Sequence, residues 1–464
     1  VSHLPIIKSI PYRDPVAAFA PFAAQDMAIL LDSALPGAQA RFSYIAIDPF
    51  RVIRCSPYPW VVTVDDAPRE GEPFAVLAAA LARFRCPPLE GPVPFLGGAV
   101  GFFSYELGGV LERLPAPKTR PYALDMAVGF YDTIVAFDHE AGQAWIIAHD
   151  FPQTSFVERA DATTRATRLE HALGETLPPF KHVSGIWQAD TTRAAQERRI
   201  ADVIESINAG DIYQANMTQR FTAHVSDRIA PFDMYRHLRS ATPAPFAAFI
   251  NAGAGLHIFS ASPERFLKSD SSGRVESRPI KGTRARGRDA MEDRALAAEL
   301  LHSAKDRAEN LMIVDLLRND LARVCEAGSV NVPVLCGLET FSTVHHLVSV
   351  VTGQLRKNTG ALDLLRAAFP GGSITGAPKI KAMEVIHAME PAARGPYCGT
   401  VAWLGFDGAM DSSIVIRTLI RQDDALYAQA GGGIVAESDP AREYEESVTK
   451  IAPLLSVLKA PSVS

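Results

Sequence analysis

The sequence predicts an α+β layered fold, with strands gathered in runs and helices set apart from them, and three observations carry that prediction. The stretch IYQANMTQRFTAHV (212–225) alternates polar and apolar side chains as a strand does. Short strand patterns follow one another between 246 and 283 and again from 399 onward, without a helix between each pair. Two long helical stretches, around 288–324 and 440–458, complete the inventory. A chain of 464 residues can bury about three quarters of its unfolded surface. Its 47% apolar and 21% charged composition excludes a mainly disordered protein. The net charge of −6 gives no support to a general nucleic-acid or anionic-membrane role.

The elements follow in order. Residues 1 to about 170 read as strands and short helices. Their most unusual segment is GGAVGFFSYELGG (97–109), where glycines bracket an aromatic core and predict close backbone packing. The lysine and hydroxyl of a phosphate loop are absent from it. The proline-rich patch GETLPPFKHVSG (174–185) separates two composition regimes and predicts an N-terminal domain over 1–175 and a second over 186–458. Asp190 or Thr191 then caps a helix whose Ile200, Val203, Ile204 and Ile207 recur at helical spacing until Gly210. In the strand after it, Gln214, Asn216, Thr218 and Arg220 share one face, which either meets water or lines a polar cavity. FAAFI, LHIFSA and RVESRPI continue as strands, and GTVAWLGF, SSIVIRTLIRQ and ALYAQAG add three more near the end.

Five cysteines, at 55, 86, 325, 336 and 398, fit neither a CxxC knuckle nor a disulfide framework and read as reduced thiols. VSHLPIIKSIPYRDP lacks the pattern of a signal peptide, and no apolar run is long enough to span a bilayer. The expected location is cytoplasmic, with no membrane and no nucleic-acid partner.

Several segments carry chemistry. SRPIKGTRARG (277–287) sets Arg278, Lys281, Arg284 and Arg286 around one glycine turn, so Lys281 is placed to hold an anion, to touch nucleic acid or to attack a substrate. Asp306 and Glu309 project from one helix face while Leu311, Val314 and Leu317 serve the buried side. Glu443, Glu446 and Lys450 likewise share a face. Each face is either a solvated surface, with Glu446 pairing Lys450, or half of an oxygen-only site that suits magnesium before zinc. AGGGIV (430–435) offers consecutive backbone N–H groups. PGGSITGAPK (370–379) has Ala377 and Pro378 where a phosphate loop needs Lys and Ser/Thr, which excludes ATP binding there. Arg417, in a strand rich in Ile and Val, either faces solvent or points inward and needs a carboxylate. No GxSxG elbow occurs, and of His345 and His346 at least one reads as core.

Taken together, ASPERFL, RPIKGTRARG, AENLMIVDLLRNDL, HHLVS, PGGSITGAPK, IRT, AGGGIV and EYEES resemble, in order, the motifs of the chorismate-utilising enzymes. The likeness is dense over 190–455 and thinner at GFFSYEL and LLDS (30–33). It implies mostly antiparallel sheets in the core with helices outside. Isochorismate and salicylate synthases, which use water, carry a lysine base where this chain has Gln214. Anthranilate synthases read PIAGT where this chain reads PIKGT. Lysine at 281 resembles the members that aminate carbon four of chorismate.

That resemblance implies a two-stage reaction. Lys281 adds to ring carbon two while the carbon-four hydroxyl departs, protonated by Glu264; ammonia then attacks carbon four and expels the lysine. It implies a catalytic set of Lys281, Glu264 and His346. Magnesium would be held directly by Glu309 and Glu446 and through water by Asp306 and Glu443. Gly282 and Thr283 would position the metal-bound end of the substrate. Gln214, Tyr397, Arg417, Gly431, Gly432, Gly433 and Lys450 would bind it, with Thr375 and His346 flanking its ring. Arg278, Arg284 and Arg286 would depress the Lys281 pKa or neutralise local acid. A separate glutamine amidotransferase subunit would supply ammonia. LLDSA and TPAPFAAF (242–249) resemble the walls of a tryptophan pocket, with Asp32 in place of glutamate and a structurally bound tryptophan around Ser33. The alternatives are an anthranilate synthase large subunit carrying lysine at 281, and a non-catalytic amino-acid-sensing subunit.

Overall fold

The computed structural model describes residues 4–35, 37, 39–118, 120–151, 159–179, 183–226, 228–341 and 344–458. Three residues of the proline-rich patch (180–182) and the Ser342–Thr343 pair before the histidines lie outside them.

Among the described residues the strands form two twelve-stranded sheets, and every pairing is antiparallel. The first begins with Ile6–Ile10, Gln143–Ala148, Thr133–Asp138, Phe42–Ala46 and Ile29–Asp32. It continues through Phe246–Gly253, Leu256–Ser262, Thr418–Gln422, Ala425–Ile434 and Gln214–His224 to Gln188–Ala189. The second runs from Ile280–Ala285 and Val344–Gln354 through Arg265–Ser269, Met410–Ile414 and Thr400–Gly405 to Gly98–Phe103 and Met126–Tyr131.

Both sheets therefore take strands from either side of the proline-rich patch. The parts of the chain before and after the patch join within the first sheet where Ile29–Asp32 pairs Phe246–Gly253, and within the second where Gly98–Phe103 pairs Thr400–Gly405. The largest core cluster fills the space between the sheets with residues such as Ile29, Phe102, Ile258 and Met410. The composition change at 174–185 marks a step along the chain and not a break in this core. A second cluster packs Phe19, Leu169, Tyr235 and Leu454 from four helices onto the outer face of the first sheet. A third seats the helices Arg193–Asn208 and Lys379–Met389 on the apolar face of Gln214–His224.

Local differences from the sequence reading have physical causes. Thr192, one residue beyond the expected caps, bonds the Ala195 N–H and opens the helix Arg193–Asn208. The expected long helix over 288–324 is two, Ala290–His302 and Ala304–Ala322, because Ser303 leaves helical geometry and caps the second through the Asp306 N–H. Leu311 is 47% exposed; Asn310, Ile313, Val314 and Leu317 face inward instead. SSIVIRTLIRQ is broken at 415–417, with Arg417 at φ 53°. No helix among the described residues is long and apolar enough to cross a membrane.

The glycine–aromatic segment packs as its composition requires. A Cβ at Gly101 would lie 2.0 Å from the Ala127 carbonyl oxygen, and one at Gly98 2.1 Å from that of Leu404. Gly101→Ala, which forces this central strand pair apart, is expected to cost about 1–3 kcal/mol or more in chemical denaturation.

Candidate functional site

The chain passes from the first sheet to the second at Pro263–Glu264, between Leu256–Ser262 and Arg265–Ser269. It returns at 415–417, between Met410–Ile414 and Thr418–Gln422. The crossings touch: the Ile414 N–H donates to the Glu264 carbonyl at 3.2 Å, and the Ser262 hydroxyl to the Ile414 carbonyl at 2.6 Å. Crossings interrupt the ladders, so side chains there can leave the two-face pattern of a strand.

Lys281 reaches this place from a bulge. Ile280–Ala285 pairs with Val344–Gln354, but the register shifts between Ile280 and Thr283, and Gly282 sits at φ 82°. That left-handed conformation suits glycine, and a Cβ there would lie 2.8 Å from Leu300 Cδ1 and 2.9 Å from Asp306 Cγ. The bulge takes Lys281 out of the ladder and brings the helix Ala304–Ala322 against the turn. Lys281 Nζ donates to the Ser373 carbonyl at 3.3 Å, an oxygen that also accepts Asn216 Nδ2 at 2.6 Å. The Ser373 hydroxyl and the Ile280 N–H lie close enough to the buried Glu264 carboxyl to favour its ionised form.

The two ionisable groups are perturbed in opposite senses. Burial pushes the Glu264 carboxyl up to about 7, against the opposing pull of Lys281. Burial pulls the Lys281 amine down, Lys450 adds to this, and Glu309, Glu264 and Glu446 oppose it. The three arginines expected to act on Lys281 are engaged elsewhere: Arg278 with Glu339, Arg284 with Glu299 and Asp306, and Arg286 with Asp293. Of the two effects foreseen for them, Arg284 alone neutralises acid at the site.

The four helical acids converge beside Lys281, each held by a cation or a hydroxyl. Arg284 Nη2 lies 3.2 Å from Asp306, Lys450 Nζ 2.6 Å from Glu446, and Lys305 Nζ 4.0 Å from Glu309 and 3.6 Å from Glu443. The Ser438 hydroxyl adds a bond to Glu443. Burial raises the Glu309 pKa, and nearby Asp306 and Glu446 raise it further. Burial acts the same way on Glu446, but Lys450 takes it below the usual range. No group of three or more His, Cys, Asp or Glu among the described residues forms a ready-made metal cluster. The donor set is nonetheless all oxygen and crowded with like charge, and one lysine spans both helices, so a hard divalent cation fits its chemistry.

Gln214 lies beneath the glycine run with 0% exposure, and neither its Nε2 nor its Oε1 has a hydrogen-bond partner. A Cβ at Gly433 would stand 2.2 Å from that Nε2. The polar face of Gln214–His224 thus lines the interior: Asn216 and Thr218 are buried as well. Gly431–Gly433 is ladder and not loop, paired opposite Thr218, Met217 and Asn216. Alternation leaves the N–H groups of Gly431 and Gly433 on the open side, where the Gly431 carbonyl accepts Lys450 Nζ at 3.2 Å.

The remaining expected residues divide. His346 accepts or donates at 2.9 Å with Thr283 Oγ1, and burial lowers its pKa to about 4, so the ring is neutral. His345 is the core histidine, held by Asp293 and Thr340. Arg417 is half-buried, neither on a solvent edge nor facing a carboxylate among the described residues; burial lowers its pKa, opposed by Tyr397. The Thr375 hydroxyl is spent on the Gly371 carbonyl at 3.0 Å and offers no free donor. Ser33 lies apart, in a cavity of about 150 Å³ between the sheets with Phe42, Phe246 and Trp403. Sequence reasoning missed Ser373 and Lys305, and for Lys305 the i,i+4 spacing with Glu309 was the available signal.

Comparison with known proteins defines the class. Residues 34–456 match the chorismate binding enzyme family, and the chain belongs to it. It is 41% identical to aminodeoxychorismate synthase component 1 of Klebsiella aerogenes, over 98% of this chain and 99% of that protein. It is 38% identical to anthranilate synthase component 1 of Streptomyces coelicolor, over 96% and 86%. The crystal structure of anthranilate synthase component I from Streptococcus pneumoniae matches with a TM-score of 0.78 and 31% identity, covering 90% of this chain and 93% of that one.

Proposed function

We propose that the chain is an aminodeoxychorismate synthase large subunit, replacing the carbon-four hydroxyl of chorismate by an amino group with ammonia from a separate glutaminase subunit. The carrying observation is the Lys281–Glu264 pair, in which burial favours the neutral amine and the protonated acid: a nucleophile beside an acid. Lys281 Nζ bonds to ring carbon two, both conjugated ring double bonds shift, and the carbon-four hydroxyl leaves as water with the Glu264 proton. Ammonia then bonds to carbon four and gives a proton to the Glu264 carboxylate; the electrons return, and the carbon–nitrogen bond to Lys281 breaks. Two successive displacements return the amino group to carbon four.

Arg417 and Lys450, with the open N–H groups of Gly431 and Gly433, suit the substrate's two carboxylates. A magnesium ion, held directly by Glu309 and Glu446 and through water by Asp306 and Glu443, would supply positive charge against the ring carboxylate. Gln214, neutral where water-using relatives carry a base, disfavours attack by water. The product feeds 4-aminobenzoate and folate synthesis in this reading. A tryptophan around Ser33 would be structural, because the Asp32 carboxylate is taken by Arg239 Nε at 2.5 Å and the Tyr235 hydroxyl at 2.8 Å.

The second reading, anthranilate synthase, draws on the similarity to the Streptomyces and Streptococcus proteins. Incubation with chorismate, magnesium chloride and ammonium chloride separates the two. The expected outcome is no anthranilate fluorescence, and 4-aminobenzoate only after a lyase is added. Anthranilate as the sole product overturns the reading, and either product disposes of a non-catalytic sensor.

A further inference from the structure

Lys305 is the second residue of the helix Ala304–Ala322. A cation in a first helical turn opposes the helix dipole, which favours negative charge there. Its ammonium nevertheless lies 3.6 Å from Glu443 and 4.0 Å from Glu309, joining the two acid-bearing helices, while the side chain stays 55% exposed. Lys450 pairs with Glu446 and Arg284 with Asp306. Among the ion pairs of the described residues, those of Lys305 reach both helices, and its exposed stem lets it swing out to water without repacking the core.

We infer that Lys305 is an internal counter-ion that competes with a divalent cation for Glu309 and Glu443, holding the acids of the two helices together and yielding them when the metal enters. This rests on the metal assignment of the proposed function. It sets the occupancy of the site: the enzyme takes up metal only at concentrations that displace the lysine. The energetic scale is that of partly exposed ion pairs, so release of this competition amounts to roughly a three- to tenfold change in metal affinity.

The test is titration of the full chain, without chorismate, by magnesium chloride in a calorimeter and by manganese chloride followed by electron paramagnetic resonance. Lys305→Ala is expected to bind either ion about three- to tenfold more tightly than the native chain. Lys305→Arg should restore native affinity. Lys381→Ala removes the same charge from an exposed pair with Glu384 on another helix and should change nothing, which separates local competition from net charge. Equal or weaker binding by Lys305→Ala overturns the inference while leaving the metal assignment standing. Silence in all four chains removes the metal assignment and the inference with it.

Discussion

Lys281→Ala eliminates aminodeoxychorismate formation, with a loss of roughly 10³-fold or more in kcat, while circular dichroism and thermal unfolding remain those of the native chain. The fold should survive because the amine makes a single hydrogen bond, to the Ser373 carbonyl, and the bulge that carries it is set by Gly282 and the neighbouring strand. Native enzyme given chorismate without ammonia and quenched in acid should carry the mass of a dehydrated chorismate on the peptide containing Lys281. The substituted chain should not. Undiminished turnover in Lys281→Ala removes the covalent mechanism, whatever the product.

Glu264→Gln keeps the shape of the acid but has no proton to give, and turnover is expected to fall by about 10²- to 10⁴-fold. The pH profile carries the sign. The acid must be protonated, and its pKa lies at about 7, so native kcat should decline as pH rises above about 7. The Lys281 amine must be neutral, and its lowered pKa brings the acidic limb of the bell toward neutrality. Stability follows the same carboxyl. Its folded pKa exceeds the unfolded value of 4.5, so its contribution to folding is complete below about pH 4.5 and is lost as pH rises through about 7. Glu264→Gln should flatten that part of the pH–stability curve. A remaining slope is expected from Glu106, which burial also raises to about 7. An unchanged pH profile in a fully active Glu264→Gln chain would remove Glu264 as the acid.

The acids and cations of the site show how far local pattern reaches. Helical spacing puts Asp306 with Glu309 and Glu443 with Glu446, and the i,i+4 pairing of Glu446 with Lys450 is present at 2.6 Å. Spacing along one helix cannot say that two such faces meet, since that depends on where the sheets carry them. Nor could alternation decide whether the polar side of Gln214–His224 met water, because the period is the same in either case; burial of Gln214, Asn216 and Thr218 answers it. The arginines of the RPIKGTRARG turn show the reverse failure. Neighbours in sequence, they are drawn to Glu339, Glu299 and Asp293, carboxylates distant along the chain or across a loop.

By itself the sequence determined the α+β class, the acid-bearing faces of the helices and the family, because strand and helix periods, turn residues and a run of ordered motifs are local properties. Tertiary structure alone decided that both sheets are built from both parts of the chain, that Glu264 and Arg417 stand at the two sheet crossings, and that Lys305 bridges the acid helices. Those facts depend on which distant strands pair. Pairing is chosen by the summed burial of an entire core, a quantity that no short segment of the chain contains.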